Sequence, residues 1–217
     1  MLQMKPLSDC RLYTFVDTAY LHGRKPEAVA QELCDGGSDL IQLRAKNAAV
    51  SEIRRMAEAI APVTRRAGVG LVINDHPLIA AEVGAELCHL GQEDLMGADL
   101  GMDRWSLGRV GLSTHAPEQA WRAIALEPAY IAIGPVYATG TKPGARPVTL
   151  EYVRWAAANV AIPWFAIGGI NLNNLDEVLA AGARRICVVS AILNAPDVAK
   201  VCREFKERLT QSGASDG

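Results

Sequence analysis

No stretch of this sequence stays apolar for the ~20 residues that a bilayer-spanning helix needs, so a helical membrane protein is excluded. The opening MLQMKPLSDC is too short and too polar for a secretory signal. Basic blocks are absent: 22 Lys and Arg stand against 24 Asp and Glu, for a net charge of −2, and aromatics make up only 6%. That leaves neither the electrostatic footprint nor the stacking platform of a nucleic-acid binder. The five cysteines (Cys10, Cys34, Cys88, Cys187, Cys202) are odd in number, scattered and without a CxxC pair. Neither a zinc site nor a disulfide framework is indicated, and the expectation is a reduced, cytoplasmic chain with mostly buried thiols. Linkers, low-complexity runs and composition shifts are also lacking. Residues 1–217 therefore read as one domain, with 211–217 as a small polar tail that frays.

Half of the residues are hydrophobic and 21% are charged, enough apolar content for a sizeable core. Apolar runs recur at Leu12–Asp17, Leu40–Arg44, Gly70–Asn74, Leu87–Leu90, Val110–Ser113, Tyr130–Pro135, Trp164–Ile167 and Ile186–Ser190. Each ends in polar residues or glycine, and each is continuously apolar, as strands buried on both faces are. Helical periodicity lies between most of them, as in Pro26–Leu33, Ser51–Val63, Leu150–Val160, Asn174–Ala181 and Val198–Leu209. Leu95–Trp105 holds two glycines and predicts a short or irregular helix. Gly36-Gly37, Gly84-Ala85 and Gly182-Ala183 read as turns that end a helix and feed the next strand. Alternating strands and helices predict a parallel sheet with crossover helices. The segment after the first strand lacks GxGxxG, so closure into a single (β/α)8 TIM barrel is preferred over an open dinucleotide-binding sheet.

Active sites of such barrels form at the C-terminal ends of the strands. Those ends deliver Gln42-Leu43-Arg44-Ala45-Lys46, Asn74-Asp75, Gly91 to Asp94, Ser113-Thr114-His115, Thr139-Gly140-Thr141-Lys142, Gly168-Gly169 and Val189-Ser190. Arg44, Lys46 and Lys142 are cations, and Asp75 and Asp94 are carboxylates from adjacent strands. That combination suggests Mg²⁺ bridging a diphosphate, because magnesium takes one or two carboxylates together with phosphate oxygens and waters. Gly168-Gly169 and Val189-Ser190 offer backbone N–H groups to a second, monophosphate site after strands seven and eight. Other readings stay open for single residues. Asp75 can be only a helix N-cap, Arg44 and Glu93 an ion pair without chemistry, Gly168-Gly169 a tight turn, and His115 a helix-start hydrogen bond. His22, His76 and His89 have no metal-ligand spacing and read as structural or exposed, and Cys187 as a buried small hydrophobe.

The stretches LIQLRAK (40–46), LVINDHPLIAAEVGAELCHLGQEDL (71–95), GLSTH (111–115), IGPVYATGTKPGA (133–145), AIGGIN (166–171) and VVSAI (188–192) together resemble the thiamine-phosphate synthase family over nearly the whole chain. The resemblance implies a transferase that joins a hydroxymethylpyrimidine diphosphate to a thiazole phosphate and releases diphosphate. It implies that Gln42 to Lys46 (Leu43 and Ala45 included), Asn74, Ser113 and Lys142 hold the pyrimidine diphosphate. Arg44, Lys46, Ser113 and Lys142 would take part in catalysis. Asp75 and Asp94 would bind Mg²⁺, and Thr139, Gly140, Thr141, Gly169, Val189 and Ser190 would receive the thiazole phosphate. His76 stands where many members of that family carry arginine after Asn-Asp, and Gly140 and Gly144 sit in a loop where more proline and acidic residues are expected. The expected partners are these small molecules, with no nucleic acid and no membrane, and a homo-oligomer is left open. The alternatives are the family's thiazole tautomerase branch, in which a histidine corresponding to His115 serves, and a non-catalytic thiamine-metabolite-binding regulator.

Overall fold

The computed structural model describes residues 3–91, 109–141 and 144–213. Strands β1 Leu12–Asp17, β2 Leu40–Arg44, β3 Gly70–Asn74, β4 Leu87–Leu90, β5 Val110–Thr114, β6 Tyr130–Ile133, β7 Trp164–Ile167 and β8 Ile186–Cys187 hydrogen-bond in sequence order and close into a barrel. The described pairings, β1 with β2, β2 with β3 and β5 through β8, are parallel. Helices α1 Pro26–Asp35, α2 Val50–Ala67, α3 Pro77–Val83, α4 Pro117–Ile124, α5 Thr149–Asn159, α6 Leu175–Ala180, α7 Ser190–Leu193 and α8 Val198–Gly213 fall between and after them. The irregular helix expected at Leu95–Trp105 lies outside the described residues. No helix among the described residues is long and apolar enough to cross a membrane.

Local chemistry sets the helices. Proline, whose missing N–H costs nothing in a first turn, opens α1, α3 and α4. In α2 the Glu52 carboxylate reaches back to the Ala49 N–H (3.1 Å), and Ile53, Ala57, Ile60 and Thr64 bury one stripe. Two strands are shorter than their apolar runs predict. β6 stops at Ile133 rather than Pro135, because Pro135 has no N–H for a ladder. β8 is only Ile186–Cys187, and Ser190, expected inside it, instead opens α7 with Val189 as its N-cap. Residues 211–213 form the end of α8, and 214–217 lie outside the described residues.

The chain packs as two compact units, Met1–Cys88 with Val189–Gly217, and His89–Val188. Tyr13 and Phe15 stack along β1 in the first, their centroids 5.3 Å apart, and Tyr130 meets Phe165 edge-on at 5.3 Å in the second. The first unit is also fastened by a buried carboxylate. Asp39, just before β2, accepts the N–H groups of Arg11 (2.7 Å) and Leu12 (2.9 Å) and contacts the ammonium groups of both Lys5 and Lys206. Burial alone would push its carboxyl up. The Leu12 N–H, the two lysines and the Arg11 N–H outweigh that, so it lies below the ordinary carboxylate value.

A group whose folded pKa is depressed stabilises fully above its unfolded value, ~3.9 for aspartate, and loses that contribution as pH falls through the folded one. Asp39→Asn should therefore cost on the order of 2–3 kcal/mol at pH 7, somewhat less than a fully buried pair, since the lysines are partly exposed. The gap to the unsubstituted protein should shrink as pH drops below about 4. Thermal melts of both proteins between pH 7 and pH 2 measure it, and a gap independent of pH would assign the loss to hydrogen-bond geometry rather than charge.

Candidate functional site

In the first unit the ends of β1, β2 and β3 bring charged groups together. Asp17, the last residue of β1, is the register partner of Arg44, the last residue of β2. Arg44 Nη1 donates to Asp17 Oδ2 at 2.6 Å, with Asp17 only 1% exposed. Arg44 is thus paired with a residue that the sequence reading left out, while Glu93, its expected non-catalytic partner, lies outside the described residues. Gln42 is buried and donates from Nε2 to the Tyr13 hydroxyl at 2.5 Å. Leu43 points to the opposite face of β2 from Gln42 and Arg44, and both Leu43 and Ala45 have buried side chains.

Lys46 sits 3.3 Å from Asp75 Oδ2, and both side chains are open to solvent, at 56% and 25%. Asn74 Nδ2 donates to the same oxygen at 2.5 Å. The backbone of Asp75 is left-handed, with φ +61°. The N-cap of α3 is His76, with no side-chain cap bond, so the helix-cap reading of Asp75 fails. A non-glycine residue at positive φ, carrying a partly exposed carboxylate and capping nothing, is the kind of local strain that functional sites hold. Its hard oxygen donors fit Mg²⁺, which needs only one or two carboxylates from the protein. Asp94, the second expected ligand, lies outside the described residues. Val189 and Ser190 stand at the start of α7, whose far end is held by Arg24 Nη2 donating to the Leu193 carbonyl (2.7 Å) and by His22 Nε2 donating to Asn194 Oδ1 (2.9 Å).

In the second unit Ser113, on β5, is hydrogen-bonded to His89 Nε2 at 2.9 Å, and His89 Nδ1 lies 3.0 Å from the Tyr130 hydroxyl. His89 is buried, so of the two readings open to it the structural one holds; its link to Ser113 was not foreseen. Tyr130 has room because its register partner on β5 is Gly111, where any Cβ would fall inside the tyrosine ring. The Thr139-Gly140-Thr141 segment follows β6, with the Thr141 N–H donating to Thr139 Oγ1 at 3.3 Å. Lys142 lies outside the described residues. The chain after β6 is stitched to the end of β7: Val136 N–H donates to the Ile167 carbonyl (2.8 Å) and Tyr137 N–H to that of Gly168 (3.0 Å).

Gly169 has φ +66°, and a Cβ there would lie 2.7 Å from both the Ala138 carbonyl oxygen and Tyr137 Cβ. The glycine is thus required first by this close approach of the segment that follows β6. His115 does make helix-start contacts, its N–H donating to Gln119 Oε1 at 2.7 Å. Its Nδ1–H also donates to the Gly134 carbonyl, which leaves the lone pair of the neutral ring on Nε2. His115 lines a cavity of about 650 Å³ with Pro135, Arg146, Tyr152 and Trp155, and none of the other sequence-predicted site residues among the described ones borders it. Burial pushes the Tyr152 hydroxyl up to about 12 and the Cys187 thiol well above its ordinary value, so neither is poised as a base or nucleophile.

The family model described as thiamine monophosphate synthase matches residues 12–192. A protein of Thermus thermophilus named thiamine-phosphate synthase is 50% identical over 175 residues, covering 80% of this chain and 84% of that one. Another of the same name, from Acidothermus cellulolyticus, is 44% identical over 209 residues, covering 94% and 96%. The solved structure of a thiamine phosphate pyrophosphorylase from Pyrococcus furiosus superposes with a TM-score of 0.83 at 28% identity, over 96% of this chain and 99% of that one.

Proposed function

The chain belongs to the thiamine monophosphate synthase family, and on that premise we propose that it joins hydroxymethylpyrimidine diphosphate to thiazole phosphate, giving thiamine phosphate and diphosphate. The observation that carries the reading is the cluster at the ends of β1 to β3, where Lys46 stands beside the non-capping carboxylate of Asp75 and Arg44 is held by Asp17 across the β1–β2 register. Two cations and an accessible carboxylate at neighbouring strand ends suit a metal-bound diphosphate, and residues 1–217 would act as one cytoplasmic catalytic domain.

Gln42, Asn74 and Ser113 would hold the pyrimidine, with Leu43 and Ala45 lending backbone. Arg44, Lys46 and Lys142 would stabilise the charge that builds on the departing diphosphate. Asp75, with Asp94, would hold Mg²⁺, which when bound supplies further neutralisation of the leaving group. In the ligand-free arrangement Lys46 serves as counter-ion to Asp75. Occupation of Asp75 would release Lys46 toward the diphosphate, so that clamp and metal site fill together. Thr139, Gly140, Thr141, Gly169, Val189 and Ser190 would receive the thiazole phosphate, whose ring nitrogen captures the pyrimidine-stabilised cation left behind.

The test is to incubate both substrates with Mg²⁺ and follow thiamine phosphate and diphosphate. Isomerisation of the thiazole without diphosphate release would move the chain to the tautomerase branch, for which the Nε2 lone pair of His115 is suited. Binding without turnover would make it a regulator. A tautomerase has no use for Arg44, Lys46 and Asp75 together.

A further inference from the structure

The end of β1 contributes no group to the clamp just described, yet it carries the most deeply buried carboxylate at any described strand end. Asp17 is 1% exposed, whereas Asp75 is 25% exposed. Burying a carboxylate is unfavourable unless it is paired and hydrogen-bonded, and an apolar residue would fill that strand end at less cost. Both oxygens of Asp17 are engaged: Oδ1 accepts the Ala19 N–H at 3.0 Å, and Oδ2 accepts Arg44 Nη1 at 2.6 Å. The first bond stops the carboxylate from rotating, so the second has a fixed direction.

A guanidinium is a rigid plane with its N–H donors in a set fork, so holding one terminal nitrogen orients the whole group. Arg44 is 17% exposed and held in this way, while the neighbouring Lys46 is 56% exposed, with a longer and solvent-open contact. We propose that Asp17 is a positioning residue that presets the Arg44 guanidinium for the diphosphate of the pyrimidine substrate. This rests on the reading of Arg44 as part of the diphosphate clamp. The two cations then differ in kind: Arg44 is fixed before substrate arrives, and Lys46 exchanges partners as it binds.

Asp17→Asn is the informative variant. Its Oδ1 can keep the bond to the Ala19 N–H, which turns an NH₂ group toward Arg44 and breaks the pair with little change to the turn. kcat/KM for the pyrimidine diphosphate should fall about 10- to 100-fold, as when a supporting shell is removed. The affinity for inorganic diphosphate with Mg²⁺, measured by calorimetry, should fall with it, while KM for thiazole phosphate stays within about twofold. Arg44→Ala should do at least as much, and adding Asp17→Asn to it should change kcat/KM by no more than about twofold, since the residues act as one unit. Additive losses, or an Asp17→Asn enzyme with full activity beside a crippled Arg44→Ala, would overturn the positioning role and leave the clamp standing. An Arg44→Ala enzyme with unchanged pyrimidine diphosphate kinetics would remove the clamp itself. If Asp17→Asn does not fold, ¹⁵N NMR of the Arg44 side chain in the substrate-free enzyme decides. Slow rotation of the guanidinium is expected, and free rotation overturns the inference.

Discussion

Asp75→Gly should lower kcat by on the order of 10²- to 10³-fold, the scale expected when a main electrostatic stabiliser of a leaving group is lost, while melting no earlier than the unsubstituted protein. Two properties of the residue separate in this variant. Its backbone is left-handed at φ +61°, a conformation that glycine adopts without penalty. Among the described residues its carboxylate meets Lys46 and the side chain of Asn74 and caps no helix, so removing it strands no backbone donor there. Asp75→Ala confounds the two, because alanine at positive φ is disfavoured by about 1 kcal/mol or more. Asp75→Asn tolerates the backbone and lacks the charge, and it should be as inactive as the glycine variant. Excess EDTA should silence the unsubstituted enzyme, and Mn²⁺-induced relaxation of water protons should report a weakened metal site in both variants. An Asp75→Gly enzyme that keeps its activity would show that the strained carboxylate serves neither metal nor diphosphate.

The barrel is legible in the sequence because most strand positions are apolar on both faces, and the glycine or polar residues that break the runs mark the turns. The two strands that come out short fail for local reasons. The run at Tyr130–Pro135 is apolar to its end, but hydrophobicity says nothing about the N–H that Pro135 lacks, and β6 stops at Ile133. At Ile186–Ser190 the apolar signal persists through Val188 and Val189, but burial there no longer comes from the sheet: Val189 caps α7 and Ser190 begins it. Burial and ladder pairing coincide in most strands, and these are the places where they part.

The cluster proposed as the site is legible because its charged groups sit at strand ends, as with Arg44, Lys46 and Asp75. What remained hidden are partners, since a pair such as Asp17 with Arg44 is separated by an entire βα unit and meets only through the β1–β2 register. A signal did exist for Asp17, a carboxylate closing an otherwise apolar run, and applying the strand-end rule to β1 would have found it. His89 gives a fainter signal: it is a polar residue inside the apolar run Leu87–Leu90, where only a buried hydrogen-bond partner makes it tolerable. Gly169 was read through its backbone N–H, yet its first constraint is the contact with Tyr137 and Ala138, which no pattern in the sequence announces.

Gly111→Ala should be damaging far beyond the size of a methyl group. The new Cβ would fall within the ring of Tyr130, its partner across the β5–β6 ladder, and Tyr130 is fully buried with Phe165 against its edge. Overpacking a closed core costs about 1–3 kcal/mol and more where the neighbour cannot move, so a drop in Tm of several degrees is expected. The displaced ring would also carry its hydroxyl away from His89 Nδ1, and His89 in turn holds Ser113. Two further variants separate volume from hydrogen bonding. Tyr130→Phe keeps the ring and should lose only about 1 kcal/mol, but it leaves His89 without that hydroxyl, so kcat/KM for the pyrimidine diphosphate should fall. Gly111→Ala combined with Tyr130→Leu frees the space and should recover much of the lost Tm, yet it has no hydroxyl to offer and should stay as impaired as Tyr130→Phe. Melting curves and steady-state kinetics on the three variants check this. A double variant restored in both stability and kcat/KM would show that the path from Tyr130 through His89 to Ser113 serves packing alone.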